Sequence, residues 1–355
     1  MDAEPVYKMD AAPDLERYSR QILFEPIGEL GQRRLLASRA TLIGCGALGS
    51  NIANLLVRAG IGHLRIVDRD YLERSNLQRQ VLFDEDDLAA DLPKAEAARR
   101  KLARINPQVR VEAVVEDAAP WNVERLVAGA DVILDGTDNF ETRFLINDVA
   151  IKHRLPWIYG ACVGSVGLSL TILPGETPCL RCVFEQAPPP EMNPTCETVG
   201  ILATAAATVA ARQVTEAIKI VAGRREAVDR RLVQFDVWSG RTAYVNVGGG
   251  ARADCPCCGQ GEFEYLSGQR SSRTAVLCGR NAVQVRPPAG TRTDLPGLAD
   301  RLRPVTAEPP VYNEFLLRAR IAPYVITVFA DGRAIIHGTH RPEEARSIYA
   351  RYIGS

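Results

Sequence analysis

Three groups of residues in this chain of 355 could do chemistry by their types and spacing. The first is a glycine turn. Ala40-Thr41-Leu42-Ile43 reads as a short buried strand, Gly44, Gly46 and Gly49 complete a G-x-G-x-x-G, and Ser50 to Arg58 continues with helical apolar spacing. A strand, glycine turn and helix in that order bind phosphate, because the glycines let backbone N–H groups approach an anion at a positive helix end. The second group is charged. Asp68 closes a second strand about 20 residues beyond the glycines, the distance expected of a ribose-binding carboxylate. Arg79 and Lys94 follow in the same half and, with Arg20, are candidate phosphate ligands. Isolated surface charge is the ordinary reading of such residues; their position after Asp68 sets them apart, since a triphosphate calls for this density of charge and a dinucleotide does not. Asp138, at the end of a fourth strand, suits Mg²⁺ or the N-cap of the next helix, two compatible roles. The third group is thiols. Cys179-x-x-Cys182 and Cys255-x-x-Cys258 each place two sulfurs for one ion, and together they make a closed tetrahedral zinc site that holds the fold and does no chemistry. Redox pairs are the alternative, and Cys257 is a rival for a neighbouring ligand position.

Cys196 follows a proline-rich loop, residues 187–194, and precedes a helix expected near Val199. A helix N-terminus lowers a thiol pKa, so Cys196 is a candidate nucleophile; a small buried residue is the competing reading. Cys45 and Cys162 read as packing residues. Nine cysteines with no secretory signal favour metal or reactive thiols in a reducing, cytoplasmic setting. Four histidines leave few candidates for a histidine base, which tilts against triad hydrolases. A formal net charge of zero lends nucleic-acid binding no support. The most apolar helix, Gly200 to Val221, carries Arg212, Glu216 and Lys219 and reads as a core helix, not a membrane span.

The elements that must position these groups alternate. Strands at residues 39–43, 64–68, 109–115, 131–135 and 156–161 are separated by helical segments, which predicts a Rossmann-like, mostly parallel sheet with helices on both faces. Gly46, Asp68 and Asp138 then fall beyond the carboxyl ends of the strands, where such sheets bind ligands. Extended runs at 165–173 and 232–247 continue the sheet in antiparallel fashion toward the zinc cysteines. We expect a disordered arm at residues 1–14, a large α/β domain at 15–260, a linker at 261–273 and a small α+β module at 274–355. In that module a strand precedes a helix at Leu295–Leu302; strands at 315–320, 324–329 and 334–337 and a helix at 342–352 follow.

The motifs RYSRQ (17–21), GCGALGS (44–50), IVDRDYLERSNLQRQ (66–80), LPKAEAA (92–98), DGTDNFETR (135–143), PCLRC (178–182), PTCETVG (194–200) and CPCC (255–258) resemble the ThiF/MoeB/HesA family, bacterial relatives of ubiquitin-activating enzymes. The stretch 157–175 is more similar to the ThiF branch, from thiazole biosynthesis. The resemblance spans about residues 15–260 and implies an ATP-dependent adenylyltransferase. It would activate the C-terminal glycine of a small ubiquitin-like sulfur carrier and release pyrophosphate, for thiamine thiazole or molybdopterin synthesis, with Mg²⁺ and Zn²⁺ as cofactors. It also implies roles by residue. Gly46 and Ala47 contact phosphates, Asp68 binds ribose, and Ser75, Asn76, Arg79 and Lys94 bind phosphate and position the carboxylate. Asp138, helped by Asn139, holds Mg²⁺, while Arg20 reaches the γ-phosphate across a homodimer interface. Cys179, Cys182, Cys255 and Cys258 bind zinc, and Cys196 aligns with a cysteine that in some members links sulfur to the carrier. A cysteine-desulfurase-type sulfur donor is a further implied partner.

Residues 269–355 depart from the family pattern. They lack a rhodanese active-site loop, since no ring of backbone donors follows Cys278, and read as an accessory module docking the carrier or a sulfur donor. The rival functions are an NAD-dependent oxidoreductase, favoured by the glycine fingerprint and Asp68 alone, and a non-catalytic carrier-binding scaffold. A carboxylate is already ionised at neutral pH and needs no base to attack a phosphate, so a histidine-poor chain is compatible with adenylylation.

Overall fold

The computed structural model describes residues 15–186, 196–270, 274–277, 281–287 and 291–354. Five strands, β1 (Arg39–Ile43), β2 (His63–Val67), β3 (Arg110–Val114), β4 (Val132–Asp135) and β5 (Trp157–Val163), form a parallel sheet in the order β3-β2-β1-β4-β5. Three antiparallel strands extend it beyond β5: β6 (Val166–Ile172), β7 (Leu232–Asp236) and β8 (Arg241–Val245). The helices in chain order are α1 (Ser19–Ile22), α2 (Gly28–Ala37), α3 (Ala47–Ala59), α4 (Glu85–Ala89), α5 (Lys94–Ile105), α6 (Val123–Val127), α7 (Phe140–His153), α8 (Leu180–Val183), α9 (Cys196–Val199) and α10 (Ala203–Val221).

The pleat explains the two cores. Successive side chains point to opposite faces of a strand, so a parallel strand covered on both faces is apolar throughout. Leu42, Ile66 and Leu134 pack with Ile52 and Leu56 of α3, Leu102 of α5 and Val209 of α10. Their neighbours Ile43, Val67 and Ile133 pack with Val123 of α6 and Phe144, Ile146 and Val149 of α7. The expected doubly wound architecture is therefore present. The long apolar helix starts at Ala203, not Gly200, because Gly200 takes a left-handed φ of +83° and Leu202 is extended. Residues 262–270, expected to link two units, pack on α7 instead. Tyr265 stacks on Phe144 at 4.9 Å, and the N–H groups of Tyr265 and Leu266 donate to Asp148 Oδ2 at 2.9 and 3.2 Å. Aromatic residues in a glycine-flanked segment give it an apolar anchor that a free linker lacks.

A second, antiparallel sheet follows: β9 (Thr274–Leu277), β10 (Ala282–Val285), β11 (Val311–Tyr312), β12 (Leu316–Ile321), β13 (Tyr324–Phe329) and β14 (Ala334–His337), in the order β11-β12-β13-β14-β10-β9. The single strand expected before the helix of this module is the hairpin β9–β10. Helices α11 (Leu295–Leu302) and α12 (Pro342–Tyr352) cover one face, against Val283, Leu317, Val328 and Ile336. The alternate residues Ala282, Leu316, Phe329 and Ile335 face the other way and enclose Tyr71 of the first unit. Cys278 lies outside the described residues.

An ionic cluster closes this contact. Asp117 Oδ2 accepts from Arg69 Nη1 at 3.0 Å and from Arg286 Nη2 at 2.5 Å. Burial alone would raise the Asp117 carboxyl, but Arg69, Arg286 and Arg333 hold it below its ordinary value of 3.8. A depressed carboxylate contributes stability that is fully present above the unfolded value and is lost as pH falls through the folded one. Hydrogen exchange in β10 and β14 is thus expected to quicken only below about pH 4 in the native chain. In Asp117→Asn it is expected to be fast already at neutral pH; equal protection of the two proteins would remove the role of this ion cluster.

Candidate functional site

In the order β3-β2-β1-β4-β5 the chain reverses direction between β1 and β4, and open α/β sheets bind ligands at such a switch point. The two loops leaving these strands touch. Gly136 N–H donates to Ile43 O at 2.8 Å, and Gly44 N–H donates to Val67 O at 2.8 Å. Gly44 has a φ of +90°, and a Cβ there would lie 2.5 Å from Gly136 O. A Cβ on Gly49 would lie 2.0 Å from Gly44 O. These two glycines let β1, α3 and β4 converge. Gly46, the N-cap of α3, caps the helix with no side chain, and a Cβ there would meet Gln80 Nε2 at 3.9 Å without a clash. The first N–H groups of α3, from Ala47 on, are thereby left for an anion. Gly49→Ala must push α3 off the turn. We expect its melting temperature to fall by several degrees, a typical loss for backbone strain of about 2 kcal/mol; a native melting curve would show that the turn relaxes freely.

Asp68 follows β2 and is buried. Its Oδ2 accepts from the Cys45 N–H at 2.5 Å and its Oδ1 from the Asp70 N–H at 2.7 Å, so the carboxylate is tied to the glycine turn itself. Burial raises its pKa, and Lys94 is the first influence opposing that. Lys94 opens α5. Its N–H donates to Asp70 O at 2.8 Å and its Nζ stands 3.3 Å from Asp70 Oδ2, with the side chain 4% exposed. A bridge between Tyr71 and Pro93 joins the two segments. Asp70, which sequence reasoning left unassigned, is thus the partner that aims Lys94.

Asn76 lies in a 3₁₀ turn, where its side chain accepts from the Glu73 N–H at 3.2 Å. Asn76 Nδ2 and Gln80 Oε1 are buried and have no hydrogen-bond partner among the described residues. Gln80 is the nearest side chain to the space over Gly46. Buried polar groups ordinarily find partners, so an unmatched donor and acceptor beside an anion-binding turn suit a polar ligand. In the sequence, the signal for Gln80 is its adjacency to Arg79 within the motif at 66–80. Arg79 Nη1 donates to Ser75 O at 2.6 Å, and Ser75 is exposed. Asp138 is exposed, and the cap of α7 belongs to its neighbour, with Asn139 Oδ1 accepting from Thr142 N–H at 2.8 Å. The capping role considered for Asp138 therefore falls to Asn139. Asp138 still contributes to the field that keeps Arg69 charged. Arg20 is exposed on α1, and no hydrogen bond or ion pair among the described residues joins it to the turn.

The Sγ atoms of Cys179, Cys182, Cys255 and Cys258 all lie within 4.8 Å of one another. The separations Cys179–Cys182, Cys179–Cys255 and Cys182–Cys258 are 3.8, 3.7 and 3.4 Å, against the edge of about 3.8 Å that four Zn–S bonds of about 2.3 Å require. Cys257 is not part of this group of four; its Sγ lies beside Cys179 and accepts from Asn147 Nδ2 at 3.2 Å. Asn147 also accepts from the Leu180 N–H at 2.8 Å and thereby orients both knuckles from α7. Burial first, and the neighbouring Cys182 thiol second, push the Cys258 thiol up to about 11, and a divalent cation is what would let the four sulfurs bind as thiolates. The donor set fits zinc.

Cys196 starts the four-residue helix α9 rather than preceding a helix at Val199. So short an element offers little dipole to lower a thiol pKa, and its side chain lies outside the described residues. A cavity of about 570 Å³, lined by Glu124, Lys152, Phe263 and Leu266 among others, includes none of the turn residues.

A glycine turn at the switch point, tied to a buried carboxylate and facing a paired lysine, places the chain among nucleotide-binding α/β proteins. Comparison with known proteins narrows the class. A profile of the ThiF family matches residues 18–257. The sulfur carrier protein ThiS adenylyltransferase of Bacillus subtilis is 45% identical over 95% of this chain and 99% of that protein. The SAMP-activating enzyme E1 of Haloferax volcanii is 42% identical over 72% of this chain and 93% of that protein. Crystal structures of Escherichia coli MccB share the fold, one with a TM-score of 0.60 and 22% identity over 70% of this chain and 75% of that one. The chain belongs to the ThiF family and is a nucleotidyltransferase. No helix among the described residues is long and apolar enough to cross a membrane.

Proposed function

We propose that this chain adenylylates the C-terminal glycine of a small ubiquitin-like sulfur carrier with Mg-ATP. The observation that carries this reading is the pairing of the glycine turn with unmatched buried groups on Asn76 and Gln80, beside Asp68 and Lys94. The α3 N-terminus, from Gly46 and Ala47, receives phosphate, Gly44 and Gly49 hold the turn, and Asp68 accepts from the ribose hydroxyls. Ser75, Asn76, Arg79 and Lys94 bind phosphate and hold the carrier carboxylate in line. A carboxylate oxygen bonds to the α-phosphorus and the bond to pyrophosphate breaks, leaving an acyl-adenylate. Mg²⁺ held at Asp138, with Asn139 beside it, would offset the charge of the leaving pyrophosphate.

A homodimer belongs to the same proposal, with Arg20 completing the partner's site. It is supported by Leu23, Phe24 and Leu30, which follow Arg20 and stand 72, 60 and 65% exposed. The thiazole route is favoured by the near-complete overlap with the Bacillus subtilis ThiS adenylyltransferase. A cytoplasmic location and a cysteine-desulfurase-type donor complete the reading. Cys196 is assigned no step. The deciding experiment is ATP–pyrophosphate exchange with a Gly-Gly-ended carrier. Carrier-dependent exchange is expected; its absence, with NAD binding in place of ATP, would overturn the proposal.

A further inference from the structure

The second sheet does more than attach to the first unit. Strand alternation puts Gln284, Arg318, Ile335 and His337 on the face that meets the first unit, opposite α11 and α12. The contacts made from that face fall on two short segments and on Asp117, beyond β3. On the segment after β2, Arg333 Nη2 donates to Arg69 O at 3.0 Å and His337 Nε2 lies 3.0 Å from Tyr71 Oη. Asp117 locks the Arg69 side chain from the other side, shared with Arg286 and with Gln284 at 3.3 Å. On the segment before α5, Arg318 Nη2 donates to Asp91 Oδ1 at 2.9 Å and Asn313 Nδ2 to Asp91 O at 3.1 Å. Asp91 has a φ of +49°, a left-handed backbone that a non-glycine residue holds only when its surroundings fix it.

These two segments are the ones that the Tyr71–Pro93 bridge joins, and between them they carry Asp70 and Lys94. Residues 69–71 thus reach the site through Asp70, whose N–H also holds Asp68. We infer that the C-terminal sheet is a positioning element of the nucleotide site, with Asp117, Arg286, Arg318 and Arg333 as positioning residues that set Lys94 and Asp68 through Arg69 and Asp91. The inference deepens the proposed function and rests on it. The chain's own Tyr71 fills this face, so a carrier or sulfur donor docked by the module would meet another of its surfaces. Nucleotide affinity is then coupled to the sheet, and by linkage bound nucleotide protects the sheet in return.

The test uses the full chain with Arg286→Ala, Arg286→Lys and Arg318→Ala. Mg-ATP affinity is read by calorimetry, and the KM for ATP, the KM for carrier and kcat by pyrophosphate exchange. Each alanine variant is expected to raise the KM and Kd for ATP on the order of 5- to 30-fold, with smaller changes in carrier KM and kcat, which Lys94 shares with Ser75, Asn76 and Arg79. Arg286→Lys is expected to recover most of the loss, since it keeps a cation on Asp117. Folded variants with native ATP affinity would overturn the inference, as would equal losses in all three parameters, which would signify general loosening. Should Arg286→Ala fail to fold, half-exposed Arg318 carries the test at a site where truncation leaves no buried hole. A native chain without exchange and without ATP affinity would instead overturn the functional reading and the inference with it.

Discussion

Cys182→Ser is expected to empty the thiolate centre and to unfold the region around it. Four sulfurs close around one ion, so removing one leaves three thiolates and an open position that water must fill. Structural zinc sites with four ligands contribute on the order of 10 kcal/mol to the fold they close. Most of the free energy that holds α8 to the segment 252–266 would then come from a bound zinc and go with it. Zinc content measured by plasma emission is expected to fall from one per chain to about a tenth or less. The melting temperature is expected to fall by about 10 °C or more, given that 1 kcal/mol corresponds to a few degrees in a chain of this size. Hydrogen exchange should quicken first near Leu180 and Tyr265, which Asn147 and Asp148 of α7 hold in place. Cys257→Ser serves as the control. That residue faces Asn147 and is expected to keep the metal with a smaller loss of stability. Zinc retained by Cys182→Ser and lost by Cys257→Ser would reverse the ligand assignment.

Asp138→Ala is expected to lower carrier-dependent pyrophosphate exchange by about 10²-fold or more, on the scale seen when one preorganised electrostatic group is removed from a transition state. The side chain is exposed and the cap of α7 is made by Asn139, so truncation should leave the fold intact. A loss of rate with an unchanged melting curve would then be chemical in origin. Because the residue is proposed to act through Mg²⁺, the variant should need a higher metal concentration for half-maximal rate. Removal of Mg²⁺ by chelation should abolish exchange in the native chain without melting it, unlike removal of zinc. Full activity of Asp138→Ala would sink its role. A fall in activity matched by a fall in melting temperature would leave only a structural one. The loop bearing Asp138 also borders Arg69, so this variant and Arg286→Ala are close enough to couple, and their double-mutant cycle should not be additive.

The parallel half of the fold and both candidate centres could be read from residue order, because local rules decide them. A glycine turn after an apolar run, an acidic residue one strand later and paired C-x-x-C spacings each act within a few residues or repeat a known ligand geometry. Expectations about which groups are free were weaker. Nothing in Asp138-Asn139 says which residue caps α7, and nothing in CPCC says which sulfur turns inward, since both depend on partners that folding supplies. Gln80 and Asp70 show the same limit: their roles follow from Gly46 and Lys94, which come near them only in three dimensions.

The sequence alone determined that a nucleotide turn and a four-thiolate staple exist, since backbone sterics and ligand number specify them locally. Only the tertiary structure decided what residues 281–354 do to that turn. Strand alternation in β10 to β14 shows one apolar face and one mixed face but names no partner for either. The partner of one face is Tyr71, more than two hundred residues earlier, and the ties that seat it are Asp117 to Arg286 and Asp91 to Arg318. Contacts of that sequence separation depend on chain topology, and no periodicity within either segment encodes them.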